Sequence, residues 1–153
     1  MVAETPHASV SRHGKLEEMV YLELLRTTDR LSRGITKVLK SEDLSSTQYN
    51  VLRILRGSGD ALPCGEVANR MITRDPDVTR LLDRLEKRSF IARRRDPRDR
   101  RTVLAQITRE GLKLLGRLDE PIRKMHRKQL GHLGTKRLGQ LAEILHQAHK
   151  RPE

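Results

Sequence analysis

A mainly α-helical chain carrying one short β-hairpin is the fold class that this sequence predicts, on three observations. Apolar residues recur at steps of three and four over most of its length, the spacing of one helix face. Residues 91–95 and 102–108 break that rhythm: they flank a turn-rich 96–101, and the second arm holds the β-formers Thr102, Val103 and Ile107. Two short helical segments joined by a tight turn stand directly before this hairpin.

The first element spans residues 15–40, with Leu16, Met19, Val20, Leu24, Leu31, Ile35, Val38 and Leu39 marking a long amphipathic helix. The segment LSSTQYNVLRILRG follows, with Ser45 and Gln48 spaced as a capping box and Gly57 as its expected end. After a break at Leu62-Pro63, residues 64–71 form a second short helix. The stretch RDPDVTRLLDRLEKRSF predicts a third, with Asp75 as N-cap and Pro76 at the first helical position. Beyond the hairpin, Thr108 caps a long helix with Leu112, Leu115, Leu118, Ile122 and Met125, which Pro121 is expected to kink or interrupt. A last helix over about residues 135–149 carries Leu138, Leu141, Ile144 and Leu145. The order describes a winged helix-turn-helix, a DNA-reading unit, within a helical frame.

Composition bounds the function. The 153 residues suit one domain, but only 35% are apolar and 2% aromatic, so the core is mostly leucine and a partner chain is expected to supply part of it. Net charge is +12, pI about 10.7 and mean hydropathy −0.67, favouring a polyanion: nucleic acid or an acidic membrane face. The single cysteine, Cys64, excludes an internal disulfide framework and fits a reducing compartment. No apolar run approaches the roughly 18 residues of a membrane span. Residues 1–14 lack the apolar core of a signal peptide and are expected to be a flexible arm, leaving a soluble, cytoplasmic protein. No nucleophile elbow, phosphate loop or H-E-x-x-H occurs, so neither enzymatic activity nor a cofactor is expected. His146 and His149 have metal-ligand spacing but no acidic or cysteine neighbour, which favours a solvated terminus.

On a helix over residues 76–89, Val78, Leu81, Leu82 and Leu85 share one side, while Asp77, Arg80, Asp83, Arg84 and Lys87 share the other. Arg80 is the candidate for base readout, since a guanidinium spans O6 and N7 of guanine. Arg84 can reach a phosphate or pair with Asp83 or another carboxylate. A solvated face is the bland alternative, and the adjoining hairpin weighs against it. That hairpin holds RRRDPRDRRT, with six arginines in residues 93–101. Asp96-Pro97 starts a turn that carries Arg98 and Arg100 at its tip, a thin cationic ribbon suited to a minor groove. Asp99 can hold Arg101 by a charge-assisted pair and fix the wing. Strand alternation means that Arg93, Arg94 and Arg95 cannot all face DNA.

The segments LSSTQYNVLRIL, GEVANRM and DVTRLLDRLEKRSFIARRRDPRDRRTVLAQITREGLKLL together resemble the MarR-type transcriptional regulators. The resemblance is strong over roughly residues 44–115. Its specific element is Asp99-Arg100-Arg101 followed by Ile107-Thr108-Arg109-Glu110-Gly111. It implies a homodimer whose helical region comes from residues 15–43 and 109–150, with 44–108 as the winged helix-turn-helix. It further implies sequence-specific regulation, most often repression, at a palindromic site on double-stranded DNA. Arg74, Asp77, Thr79, Arg80, Arg84, Arg98, Asp99, Arg100 and Arg101 are the candidate DNA-binding residues, Arg100 at the groove and Asp99 with Arg101 as brace. Tyr21 and Tyr49 are candidates to line a cleft for a small aromatic or phenolic ligand. The rival reading is a non-specific architectural DNA-binding protein without ligand control.

Two departures stand out. The family places Gly-Leu after the recognition helix, where this chain has Ser89-Phe90; the helix closes without a left-handed residue, or Ser89 takes that strain. Asp77 stands where relatives carry Ser or Thr. Cys64, near a helix start, would have its thiol pKa lowered there, although a small half-buried residue is the favoured reading.

Overall fold

The computed structural model describes residues 12–150. It contains α1 (Arg12–Leu39), a 3-10 turn (Lys40–Glu42), α2 (Ser46–Ser58), β1 (Leu62–Pro63), α3 (Cys64–Arg70), α4 (Val78–Lys87), β2 (Ile91–Arg95), β3 (Val103–Ile107), α5 (Arg109–Leu130), a second 3-10 turn (Gly131–Leu133) and α6 (Gly134–Lys150). The mainly helical fold with a small antiparallel wing is as expected. The N-terminal arm differs: residues 12–14 already belong to α1, and 1–11 lie outside the described residues.

Among the described residues, those up to Gly34 make one unit and those from Ile35 another. In the first, Leu16, Met19, Val20, Tyr21, Leu22, Leu24 and Leu25 are all exposed on α1. Arg26–Glu23 and Arg33–Asp29 pairs, one helical turn apart, support the polar side of that helix.

The second unit holds the core. Leu39, Val51, Leu52, Leu55, Val67, Leu82, Leu85, Ile91, Leu114, Leu115 and Leu118 are fully buried, and each such side chain contributes about 1.5–3 kcal/mol. The α2 helix starts at the expected capping box: Ser45 Oγ accepts from the Gln48 amide, and Gln48 Oε1 accepts from the Ser45 amide. It ends two residues later than expected, at Gly59 with φ +73°, because Gly59 and not Gly57 takes a positive φ.

The three strands lie in the order β1-β3-β2, all antiparallel. The Leu62-Pro63 break is itself a strand, pairing Leu62 with Ala105 and Pro63 with Leu104. Proline has no amide to donate, and an outer strand tolerates that loss. Thr108 caps α5 by accepting from the Gly111 amide at 3.1 Å. Pro121 does not interrupt α5, which continues to Leu130. Buried Leu118 and Ile122 anchor the helix on both sides of the missing hydrogen bond. On α6, Leu141, Ile144 and Leu145 are exposed. No described helix is long and apolar enough to cross a membrane.

Candidate nucleic-acid interface

The cap of α4 is Asp77, not Asp75 as the sequence suggested: Asp77 Oδ1 accepts from the Arg80 amide at 3.0 Å. Asp75 acts one step earlier, accepting from the Asp77 amide at 2.9 Å. The Asp75 carboxylate closes a turn over Pro76, and the helix begins only at Val78, beyond it. The Asp77 carboxylate is therefore held by the helix start, where its charge suits the macrodipole. Leu81, Leu82 and Leu85 are buried against the core, while Thr79, Arg80, Arg84 and Lys87 are exposed. Arg80 and Arg84 share a groove of about 320 Å³ with Asp75, Asp77, Ser45 and Thr47. Neither guanidinium has a protein partner among the described residues. Arg74 borders a separate groove with Asn69 and Val78.

Arg84 does not pair with Asp83. That carboxylate accepts from Arg93 Nη2 at 2.5 Å. Glu86 binds the same arginine, accepting from its amide (3.0 Å), Nε (3.0 Å) and Nη2 (2.6 Å). Arg93 thus joins β2 to the polar flank of α4, and its guanidinium holds the Glu86 carboxyl below the usual range. One arginine of the cluster is spent inside the fold.

The end of α4 is tied as firmly. Ser89 takes φ +59°, so the strained alternative of the two is the one adopted. The Ser89 amide donates to the Glu86 carbonyl and the Phe90 amide to the Leu85 carbonyl, closing the helix. Thr108 Oγ1 donates to the Ser89 carbonyl at 2.6 Å, and the Thr108 amide donates to Phe90 at 3.0 Å. Arg88 lies over the Phe90 ring and donates to the Glu42 and Asp43 carbonyls.

In the wing, the Asp96 amide donates to Thr102 and the Thr102 amide to Asp99, both at 2.9 Å. Arg95 Nη1 clips the Arg100 carbonyl at 2.8 Å. Asp99 braces this turn through other partners than the expected Arg101 guanidinium: it accepts from the Arg101 amide (3.1 Å) and the Thr102 hydroxyl (2.9 Å). A turn brings the amide within reach of the carboxylate, while the Arg101 side chain leads away into solvent. Arg98, Arg100 and Arg101 are exposed, with no side-chain partner among the described residues.

A helix with a cationic outer face and an arginine-tipped wing now stand side by side on one core. The MarR family model matches residues 44–103. A MarR transcription factor from Planctomyces limnophilus is 35% identical, with 94% of this chain and 98% of that one covered at a TM-score of 0.67. The chain belongs to the MarR family. The HTH-type transcriptional regulator MhqR of Bacillus subtilis (strain 168) is 28% identical over 96 residues, which span 63% of this chain and 66% of MhqR, just under two thirds. BpsR of Bordetella bronchiseptica, whose DNA binding is regulated by 6-hydroxynicotinic acid, shares the fold at a TM-score of 0.75 and 21% identity, covering 97% of this chain and 100% of BpsR. This MarR-family protein is a DNA-binding transcriptional regulator with a winged helix.

The remaining candidates of the MarR-family chain lie away from α4 and the wing tip in sequence. Tyr49 is only 7% exposed; burial pushes its phenol pKa up, and Arg53 lies 5.8 Å from its ring centre. Tyr21 is exposed on the first unit's helix. Cys64 begins α3 half-buried, and burial raises its thiol pKa rather than lowering it; α3 has only seven residues to oppose that cost. The His146 and His149 rings meet edge to face at 5.2 Å, and no three-residue metal-ligating group exists among the described residues. The Arg93 clamp went unforeseen. Its one signal was Asp83 and Glu86, a turn apart on the polar flank of α4 and facing the first arginine of the next strand.

Proposed function

We propose that this MarR-family regulator represses transcription by binding a palindromic operator as a homodimer, each subunit placing α4 in a major groove and the wing in the adjacent minor groove. The observation that carries this reading is the unpaired state of Arg80. Its helix is immobilised at both ends and along one flank, yet its guanidinium faces solvent without a protein partner. A fixed, unsatisfied fork of donors is suited to the bidentate edge of guanine. Arg74, Thr79 and Arg84 extend the contact, Asp77 shapes the helix start, and Arg98, Arg100 and Arg101 reach the minor groove from the turn that Asp99 holds.

Residues 15–43 and 109–150 form the dimer body in this reading. The exposed apolar stripe of α1 and the exposed Leu112, Leu141, Ile144 and Leu145 suit burial by a second copy. Control by a small aromatic or phenolic acid fits the family and the regulation of BpsR; of the two tyrosines, Tyr21 offers its ring. A chain with one cysteine that acts on DNA belongs in the cytoplasm.

Selection from random duplexes tests the reading. The recovered sites should be palindromic, and Arg80→Ala should weaken binding to them by roughly 1–3 kcal/mol while relaxing one base position per half-site. Equal loss on every sequence would make Arg80 a phosphate contact, and wild-type binding to unrelated duplexes as tight as to the selected site would favour the architectural alternative. Sedimentation at low micromolar concentration should find a dimer.

A further inference from the structure

A third groove, of about 600 Å³, opens between the end of α1 and the C-terminal half of α4. Lys40, Arg84, Lys87 and Arg88 line it, and Asp43 is the one acidic residue in its walls. Arg88 is committed to two backbone carbonyls and the Phe90 ring. Lys40, Arg84 and Lys87 are exposed, and their side chains have no hydrogen bond or ion pair among the described residues. Glu42, next to Asp43 in the chain, is taken by Arg117 through two bonds of 2.9 Å. Against Lys40, Arg84 and Lys87 the groove offers one carboxylate, Asp43, so an excess of positive charge is left that an anion among them would relieve.

The direction of α4 says which anion. Arg80, Arg84 and Lys87 follow at intervals of four and three along one exposed face. A helix that presents Arg80 to base edges carries its next turns out toward the sugar-phosphate wall, with Lys40 alongside. We infer that Lys40, with Arg84 and Lys87, seats a backbone phosphate of the bound duplex, so that the 3-10 turn after α1, outside the winged unit, also holds DNA. This rests on α4 entering the major groove. A phosphate contact fixes position and carries no sequence information, so the contribution is equal for every duplex. A free phosphate or carboxylate could use the same cations, and the test separates the two sources.

Fluorescence anisotropy over a salt series, on a selected site and its shuffled version, provides that test for Lys40→Ala, Lys40→Arg and Arg80→Ala. Lys40→Ala should weaken both duplexes by the same factor, roughly tenfold. Its slope of log K against log salt should be shallower by about one unit. Lys40→Arg should restore both, while Arg80→Ala keeps a loss confined to the selected site. An unchanged slope in Lys40→Ala, with Arg80→Ala behaving as expected, overturns the phosphate seat alone. Wild-type protein without salt-dependent duplex binding overturns the functional reading and the seat with it. Inorganic phosphate, titrated onto DNA-free protein at constant ionic strength and followed by amide NMR shifts, should show no saturable site here. Saturable binding that needs Lys40 and displaces the duplex would assign the groove to a free anion and overturn the inference.

Discussion

Arg93 donates three hydrogen bonds to Glu86, one from its backbone amide and two from its guanidinium, and so fastens the first wing strand, β2, to α4. The same guanidinium reaches Asp83, one turn earlier on α4. An arginine in a basic cluster beside a DNA-reading helix would ordinarily be assigned to phosphate. Here its partners are carboxylates of its own chain, and the wing and helix gain a common frame.

Arg93→Ala should therefore destabilise the fold by about 1–3 kcal/mol, since it strands two carboxylates that are only partly solvated. The pH dependence gives an independent sign. Glu86 has its pKa lowered, chiefly by the Arg93 hydrogen bond, so the stabilisation is present above its ordinary value of 4.5 and is lost as pH falls through the depressed folded value. Urea melts taken from about pH 6 down to about pH 3 should show a shallower acid limb in Arg93→Ala. An identical limb would mean the clamp does not form.

Asp99→Ala should weaken DNA binding by about 1 kcal/mol although it makes the protein more positive. The variant loses the acceptor for the Arg101 amide and the Thr102 hydroxyl, so the wing tip is no longer held. A pure charge effect has the opposite sign. Tighter binding in an anisotropy titration would show that the carboxylate repels the duplex more than it shapes the turn.

Arg100→Ala should cost affinity mainly on sites with A·T-rich flanks, because a minor groove reports width and potential more than base identity. The base preference that we propose for Arg80 should be unchanged, and the salt slope should fall by about one unit. Arg98→Ala is the control on the same turn. A larger flank-dependent loss from Arg98 would transfer the groove contact to that residue.

Gly111→Ala should destabilise by about 1–3 kcal/mol. A Cβ there would collide with the Phe90 carbonyl oxygen and stand 2.7 Å from Ile107 Cγ1, where the first turn of α5 crosses the end of the recognition helix. Gly116→Ala, on the same helix with nothing within 4 Å of the added carbon, should instead stabilise by up to about 1 kcal/mol. Thermal melts of the pair separate close packing from helix propensity, and similar shifts in both would refute the contact.

Elements held by near neighbours were legible from the chain alone. The Ser45–Gln48 box, the Thr108 cap, the apolar face of α4 and the two wing strands each depend on residues a few positions apart. The strain at Ser89 was visible as one of two outcomes, and folding chose it because Thr108, just past β3, donates to the Ser89 and Phe90 carbonyls and fastens the helix end. Tertiary structure alone decided the rest. It moved the cap from Asp75 to Asp77, turned Leu62-Pro63 into a strand beside Leu104 and Ala105, and gave Asp83 and Glu86 to Arg93 rather than to neighbours on their own helix. It also set Lys40 beside Arg84 and Lys87 across a separation of more than forty residues. Local hydrogen bonds are dictated by backbone periodicity, which a sequence displays directly. The partner of a long charged side chain is settled only when packing brings distant elements within reach, and it goes to whichever carboxylate or anion then lies closest.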